Sequence, residues 1–223
     1  MTEEDALNWL KEKFDVSRET HEKLNDFVTF VLREAQSQNL ISASTLDNMW
    51  NRHIVDSAQL LNFVPESQLQ KSWLDLGSGA GFPGIVVAIL SQFRVTLVES
   101  RTRRIEYLHR AIAMLDLEDR VSVAGMALER VETAPYQVIS ARAFAPLPRL
   151  FELAARFSTD KSLWLLPKGR NAAKEWDEAQ PVWQGDFRIE PSVTDAEAGI
   201  IVGHLTGKHA NNAKPAAKRQ QNR

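Results

Sequence analysis

The stretch Trp73-Leu-Asp-Leu-Gly-Ser-Gly-Ala-Gly-Phe-Pro-Gly-Ile-Val-Val-Ala-Ile-Leu90 reads as a buried strand, a glycine-rich turn and the start of a helix. Trp73, Leu74 and Leu76 supply the short apolar run of a parallel strand. Gly77, Gly79 and Gly81 remove the Cβ atoms that would block a tight turn or a close ligand. Pro83 suits the first turn of a helix, where its missing N–H costs nothing. Such a helix points unpaired N–H groups and a positive dipole end at whatever lies over the loop.

Spacing separates the cofactor classes. A dinucleotide fingerprint, G-x-G-x-x-G, would need its third glycine where Phe82 stands. The chain has Asp75-x-Gly77-x-Gly79-x-Gly81 instead, which resembles the first motif of S-adenosylmethionine-dependent methyltransferases. Downstream, Val95-Thr-Leu-Val-Glu99 reads as a second apolar strand ending in a carboxylate, where an acid can accept both ribose hydroxyls of a nucleoside cofactor. The competing account is an ordinary strand–turn–helix with a convenient glycine turn and a solvated Glu99.

Composition sets the bounds. At 223 residues and 43% apolar content, the chain suffices for one good core with appendages. The absence of cysteine excludes disulfides, thiolate metal sites and cysteine nucleophiles, including the covalent route to carbon 5 of pyrimidines; no metal is expected. The acidic start, Met1-Thr-Glu-Glu-Asp, has no apolar signal core, and no run is long enough to span a bilayer. A cytoplasmic protein without membrane contact is expected. A net charge of −2 argues against a broadly basic nucleic-acid surface, so RNA contact must come from local patches.

Along the chain, Leu7, Leu10 and Phe14 mark a first helix, with Thr2 and Asp5 as a capping box. From Ser17 to about Ser37, Leu24, Phe27, Val28, Val31, Leu32 and Ala35 form one apolar stripe. A third helix is expected from Leu46 to Phe63, burying Trp50, Ile54, Ala58 and Leu61. Its other side carries Arg52, His53, Asp56 and Ser57, where a surface Arg52–Asp56 pair is the plainer expectation. Residues 1–70 are read as a helical segment packed on the core, 71–207 as the catalytic domain, and 208–223 as a basic, disordered tail able to add salt-sensitive attraction to RNA.

Asn39-Leu-x-Ser-Ala43, Arg52-His-x-x-Asp-Ser57, the Asp75–Gly84 loop and Leu97-Val-Glu-Ser100 together resemble the glucose-inhibited division protein B family. These are bacterial methyltransferases that modify N7 of a guanine in 16S ribosomal RNA. The resemblance spans roughly Asn39 to Arg170. It implies a Rossmann-like α/β fold, with a mostly parallel seven-stranded sheet and an antiparallel end, preceded by N-terminal helices. S-adenosylmethionine is the implied cofactor, the small ribosomal subunit the implied partner, and a monomer the expected state.

The resemblance also assigns residues. Asp75, Gly77, Gly79, Gly81, Phe82 and Glu99 fall on the cofactor side, joined by Ala127 and Leu128 after the third strand, Val121–Ala124. The commoner pattern has an acid at the place of Leu128; a contact through backbone N–H would make that change unimportant. Arg142, following the fourth strand (Gln137–Ser140), is the expected catalytic residue, at both cofactor and substrate. His53, Arg103 and Arg104 are expected at the RNA, as are Lys168 and Arg170 in a loop after the fifth strand, Ser162–Leu166; an ordinary turn with exposed charges is the alternative. A last strand pair, Phe187–Ile189 and Gly199–Thr206, closes the sheet.

The chemistry suits this equipment. Guanine N7 carries an exposed lone pair, so in-line attack on a sulfonium methyl needs no general base. Amino-group methyltransferases carry Asn or Asp followed by two prolines and an aromatic after the fourth strand, and this chain has Ala141-Arg-Ala-Phe-Ala-Pro146 there. Two other functions fit less well: an NAD-dependent oxidoreductase, disfavoured by Phe82, and a non-catalytic ribosome-associated assembly factor, disfavoured by the intact loop, Glu99 and Arg142.

Overall fold

Short apolar runs shielded on both faces build the parallel part of the sheet: β1 (Ser72–Leu76), β2 (Arg94–Val98), β3 (Val121–Ala124), β4 (Val138–Ala141) and β5 (Leu163–Gly169). The computed structural model describes residues 1–65 and 71–210. Two further strands, β6 (Trp183–Pro191) and β7 (Gly199–Lys208), complete a seven-stranded sheet of order β3-β2-β1-β4-β5-β7-β6. β7 runs antiparallel to both β5 and β6, as the sequence implied. Strand order reverses at the β1–β4 pair, whose carboxyl ends meet at Leu76 and Ala141. In open α/β sheets ligands bind at that reversal.

Alternation along β1 divides the core. Trp73 joins Phe27, Ile54, Ile85, Phe93 and Tyr107 on one face. Leu74 and Leu76 join Ile139, Phe151, Trp164 and Ile201 on the other. The first face is covered by α1 (Glu3–Lys13) and α2 (Arg18–Ala35), then by an irregular segment that includes the single turn α3 (Asp56–Ala58), and by α4 (Gly84–Leu90) and α5 (Thr102–Met114). The second face is covered by α6 (Leu147–Ala154) and α7 (Ala172–Ala179). Each large side chain so buried contributes about 1.5–3 kcal/mol.

The N-terminal helices begin where the sequence places them. Thr2 and Asp5 form the capping box, each side chain accepting from the other's backbone N–H, and Ser17 caps α2 through the Thr20 N–H. Phe30 is also buried, stacked on Tyr107 at 5.3 Å, although it stands outside the stripe read from the sequence.

Three local expectations are corrected. Residues 43–63 do not form one α-helix: a 3₁₀ stretch (Ala43–Asn48), a π turn (Trp50–Val55), α3 and a second 3₁₀ stretch (Gln59–Phe63) follow one another. Trp50, Ile54, Ala58 and Leu61 are buried as expected, but so are Asn51, His53, Ser57 and Gln59. Asn51 and Gln59 reach the β6–β7 connection and His53 reaches Arg142, while Ser57 donates to the His53 carbonyl within the segment. Next, β5 continues through Pro167 and Lys168 rather than ending at Leu166, because β7 pairs with it as far as Gly169. The missing Pro167 N–H is tolerated beside a bulge. Finally, β6 is longer than its apolar centre, running from Trp183 to Pro191. Of the expected basic tail, Lys208 ends β7 and lies over the Trp183 ring at 4.8 Å; residues 211–223 lie outside the described residues.

Gly84 is where α4 approaches the sheet most closely. A Cβ there would lie 2.3 Å from Leu97 Cδ2 and 3.0 Å from Asp75 Oδ2. Gly84→Val should therefore overpack the contact of α4 with β1 and β2 by roughly 1–3 kcal/mol and lower the thermal midpoint. An unchanged melting curve would show that the helix can move away without cost.

Candidate active site at the sheet reversal

Asp75 anchors the loop after β1. Its side chain is wholly buried: Oδ1 accepts from the Ser140 hydroxyl at 2.7 Å, and Oδ2 accepts from the Gly84 N–H at 3.3 Å. Ser140 in turn accepts from Trp73 Nε1 at 2.8 Å. Burial pushes the Asp75 carboxyl up to about 6. The carboxylate thus ties β1, β4 and the start of α4 together and borders none of the cavities described below.

The loop it anchors turns through left-handed backbone at Gly77 (φ +69°), Gly79 (+55°) and Gly81 (+91°). Pro83 precedes α4, which starts at Gly84 rather than at the proline. Glu99, at the tip of β2, is only 6% exposed. One of its oxygens accepts from the Gly79 N–H at 3.2 Å, the other from the N–H groups of Ser100 and Arg101 at 2.7 and 2.9 Å. Loop and second strand are thereby joined at one carboxylate.

Arg142 leaves β4 and crosses to the N-terminal segment. It donates to His53 Nδ1 at 2.6 Å, to Asp56 Oδ2 at 3.2 Å and to the Arg52 carbonyl at 3.3 Å. Its guanidinium lies 5.7 Å from the Phe82 ring centre, and Phe82 stacks on the His53 ring at 4.8 Å. Donation from Arg142 fixes the His53 tautomer: Nδ1 is the acceptor, so Nε2 carries the proton and donates to Thr45 Oγ1 at 2.9 Å. Burial, together with the charges of Arg142 and Arg52, pushes His53 down to about 3.

The surface pair expected within residues 52–56 is therefore replaced by longer contacts. Asp56 faces Arg142, Gln59 and Thr194, while Arg52 pairs with Asp195 at 3.2 Å. Gln59 also accepts from the Val193 N–H at 2.9 Å. The β6–β7 connection is thus fastened to the N-terminal segment.

Three cavities adjoin at this point. One of 220 Å³ lies between Gly77, Glu99, Arg104, Met126 and Leu128. A second, of 430 Å³, runs past Gly77, Gly79, Phe82, Arg104 and the Leu40–Ser42 turn to His53 and Arg142. The third, of 510 Å³, is walled by Thr45, His53, Asp56, Arg142, Lys168, Glu175 and Thr194. Ala143 borders all three, with φ at +52°. Left-handed backbone costs a β-carbon residue roughly 1–2 kcal/mol, which is held here by the surrounding fold. Sequence reasoning missed Ala143, Glu175 and Thr194, none of which stands in a recognisable motif.

Several expected site residues sit elsewhere or are already engaged. Gly81 shapes the loop without lining a cavity, and Ala127 is exposed just before the buried Leu128. Arg104 faces the cofactor-side cavities, 3.7 Å from Glu99 and donating to the Asn39 carbonyl at 2.9 Å. Arg103 donates to the Ser37 carbonyl at 3.1 Å. Lys168 is 8% exposed, with its ammonium bound to Glu175 at 2.9 Å and to the Ala145 carbonyl at 2.7 Å. Arg170 is exposed and pairs with Glu197. Among the described residues, no group of three or more His, Asp or Glu side chains is placed to hold a metal, and no helix is long and apolar enough to cross a membrane.

A parallel sheet with an antiparallel end, a glycine loop after β1 and an acid at the tip of β2 define an S-adenosylmethionine-dependent methyltransferase. Solved structures share the fold. An O-methyltransferase from Bacillus cereus in complex with S-adenosylhomocysteine superposes with a TM-score of 0.58 at 15% identity, covering 88% of this chain and 96% of its own. A methyltransferase of this class from Aquifex aeolicus gives 0.54 at 13% identity, covering 78% of this chain and 97% of its own. Residues 20–200 match the family described as rRNA small subunit methyltransferase G, and the chain belongs to it. Relatives of that name are 50% identical in Zymomonas mobilis, covering 96% of this chain and 99% of theirs, and 51% identical in Rhizorhabdus wittichii, covering 100% and 99%.

The site's geometry fixes two further outcomes. A Cβ at Gly77 would lie 2.5 Å from Phe144 Cδ2, so Gly77→Val should displace Phe144 into the cavities and abolish S-adenosylmethionine binding in calorimetry. Affinity equal to that of the unaltered chain would remove Gly77 from the cofactor wall. His53 ordinarily titrates at 6.5 and is held near 3, so between those values the unfolded chain binds a proton that the folded chain refuses. Stability contributed by His53 is therefore lost as pH falls through that window. Its ring should still show the neutral Nε2–H tautomer by NMR at pH 5, and an imidazolium signature there would contradict the Arg142 bond.

Proposed function

We propose that this chain transfers the methyl group of S-adenosylmethionine to N7 of a guanine in 16S rRNA of the small ribosomal subunit, by in-line displacement without a general base. The observation that carries this reading is the junction at Arg142 and Ala143, where two cavities bordered by the glycine loop adjoin a third, large enough for a purine. The cofactor supplies an electrophilic methyl on a sulfonium centre. Glu99 is the acceptor for its ribose hydroxyls, Met126 and Leu128 are the apolar wall for its adenine, and the Gly77–Gly79 turn and Phe82 border its amino-acid end. Asp75 acts by holding that turn in shape.

Guanine N7 brings its own lone pair, so the protein's task is alignment, worth up to roughly 7–11 kcal/mol in favourable cases. The titratable groups beside Arg142 are already committed. The lone pair of His53 Nδ1 is committed to Arg142, and both Asp56 oxygens already accept hydrogen bonds. Arg142 lines both the cofactor-side cavity and the one for the base and is the catalytic residue by position, while Arg103 and Arg170 are exposed enough to meet RNA phosphate. The chain acts as a cytoplasmic monomer in this reading.

Small subunits from cells lacking the protein should accept label from S-adenosylmethionine and yield 7-methylguanosine at a single 16S rRNA position. Tight cofactor binding with no label would leave a non-catalytic ribosome-binding role. Label in another nucleoside would overturn the N7 assignment.

A further inference from the structure

The 510 Å³ cavity contains two carboxylates, and they differ in what they have left to offer. Asp56 is engaged at both oxygens: Oδ1 accepts from Gln59 at 2.9 Å and from Thr194 at 3.0 Å, and Oδ2 accepts from Arg142. Glu175 is not. Its Oε2 takes both protein contacts, accepting from the Leu147 N–H at 2.8 Å and forming an ion pair with Lys168 Nζ at 2.9 Å. Its Oε1 has no protein partner among the described residues, and the side chain keeps 20% exposure on the cavity wall. A carboxylate oxygen held still by two donors on its twin is a built acceptor.

We propose that Glu175 Oε1 reads the target guanine by accepting hydrogen bonds from its N1–H and N2–H groups; this rests on the guanine-N7 reading above. The major groove of paired RNA is too narrow for side chains, so a base methylated at N7 must be unpaired and placed in a pocket. Its Watson–Crick edge has then lost its partner, and its donors need acceptors. Adenine presents a lone pair at N1 where guanine presents N–H, and that lone pair would face the carboxylate. The contact selects for one purine and repels the other.

The same contact serves the reaction. As the methyl moves from sulfur to N7, positive charge spreads over the purine and N1–H becomes a stronger donor. A carboxylate accepting from it binds the transition state more strongly than the ground state. Lys168 is then a positioning residue that holds Glu175 in place.

E175Q is a sharp test because its amide cannot turn freely. The Leu147 N–H donates to the Oε2 position and the Lys168 ammonium lies 2.9 Å from it, which requires the amide oxygen there and sets NH₂ against the base, donor facing donor. Small subunits would be reconstituted around 16S rRNA carrying guanosine or inosine at the methylated position; inosine keeps N1–H and lacks the N2 amino group. The unaltered protein should methylate inosine about 10-fold more slowly than guanosine, as expected for one lost bond to a charged group. E175Q should lose about 10- to 100-fold on guanosine at unchanged S-adenosylmethionine affinity, and its guanosine-to-inosine ratio should fall to about 2-fold or less.

A wild-type rate for E175Q on guanosine, or an undiminished inosine penalty in E175Q, would overturn the assignment. Should E175Q fail to bind the cofactor, the unaltered protein decides alone: equal rates on guanosine and inosine exclude the N2 contact. No 7-methylguanosine from the unaltered protein would defeat the reading on which this inference rests.

Discussion

A buried carboxylate and a mostly buried guanidinium stand at the carboxyl ends of neighbouring strands, and much of the molecule is arranged to satisfy them. Asp75 is met from its own sheet, by Ser140 and by the first N–H of α4. Arg142 cannot be met from the sheet alone. Its partners His53, Asp56 and the Arg52 carbonyl come from the N-terminal segment, which must lie across the strand ends to supply them. An unpaired charge at that depth would cost several kcal/mol, so docking of the segment and ordering of the site are one event. The departure from regular helix over residues 43–63 is a local consequence of that demand.

The fold was largely legible in the sequence, because its signals are local. Apolar runs at Trp73–Leu76 and Val95–Val98, the glycine spacing between them and the stripe from Leu24 to Leu32 each depend on near neighbours. The join between the glycine loop and the tip of β2 was legible for the same reason, since Gly77, Gly79 and Glu99 lie within one strand–turn–helix unit and the strand beside it. The substrate side was not. Helical spacing put Arg52 and Asp56 together, yet each finds a stronger partner more than a hundred residues away or across the sheet, in Asp195 and Arg142. Lys168 and Arg170 looked equivalent as basic residues of one loop. Extension of β5 to Gly169 carries Lys168 inward to Glu175 and leaves Arg170 exposed.

These contacts also commit the titratable groups nearest Arg142. His53 is a neutral acceptor that orients Arg142, and its low proton affinity follows first from burial and then from the cation it serves. Asp56 neutralises the same guanidinium and fastens Thr194, which brings the β6–β7 connection over the cavity. The proposed chemistry would require only a lone pair and a well-placed methyl group, and His53 and Asp56 are side chains committed to geometry. The left-handed backbone at Ala143, bordering all three cavities, belongs to the same economy of placement.

Whether Arg142 and Asp56 act as one unit is the most direct test of this account. Single-turnover methyl transfer should be measured for Arg142→Ala, Asp56→Asn and the double variant, with S-adenosylmethionine affinity followed in parallel. If Asp56 serves the reaction by holding Arg142, the double variant should be no slower than Arg142→Ala alone. Losses that multiply, each residue costing its full factor in the absence of the other, would show that the two act separately and that the junction is not organised around their contact.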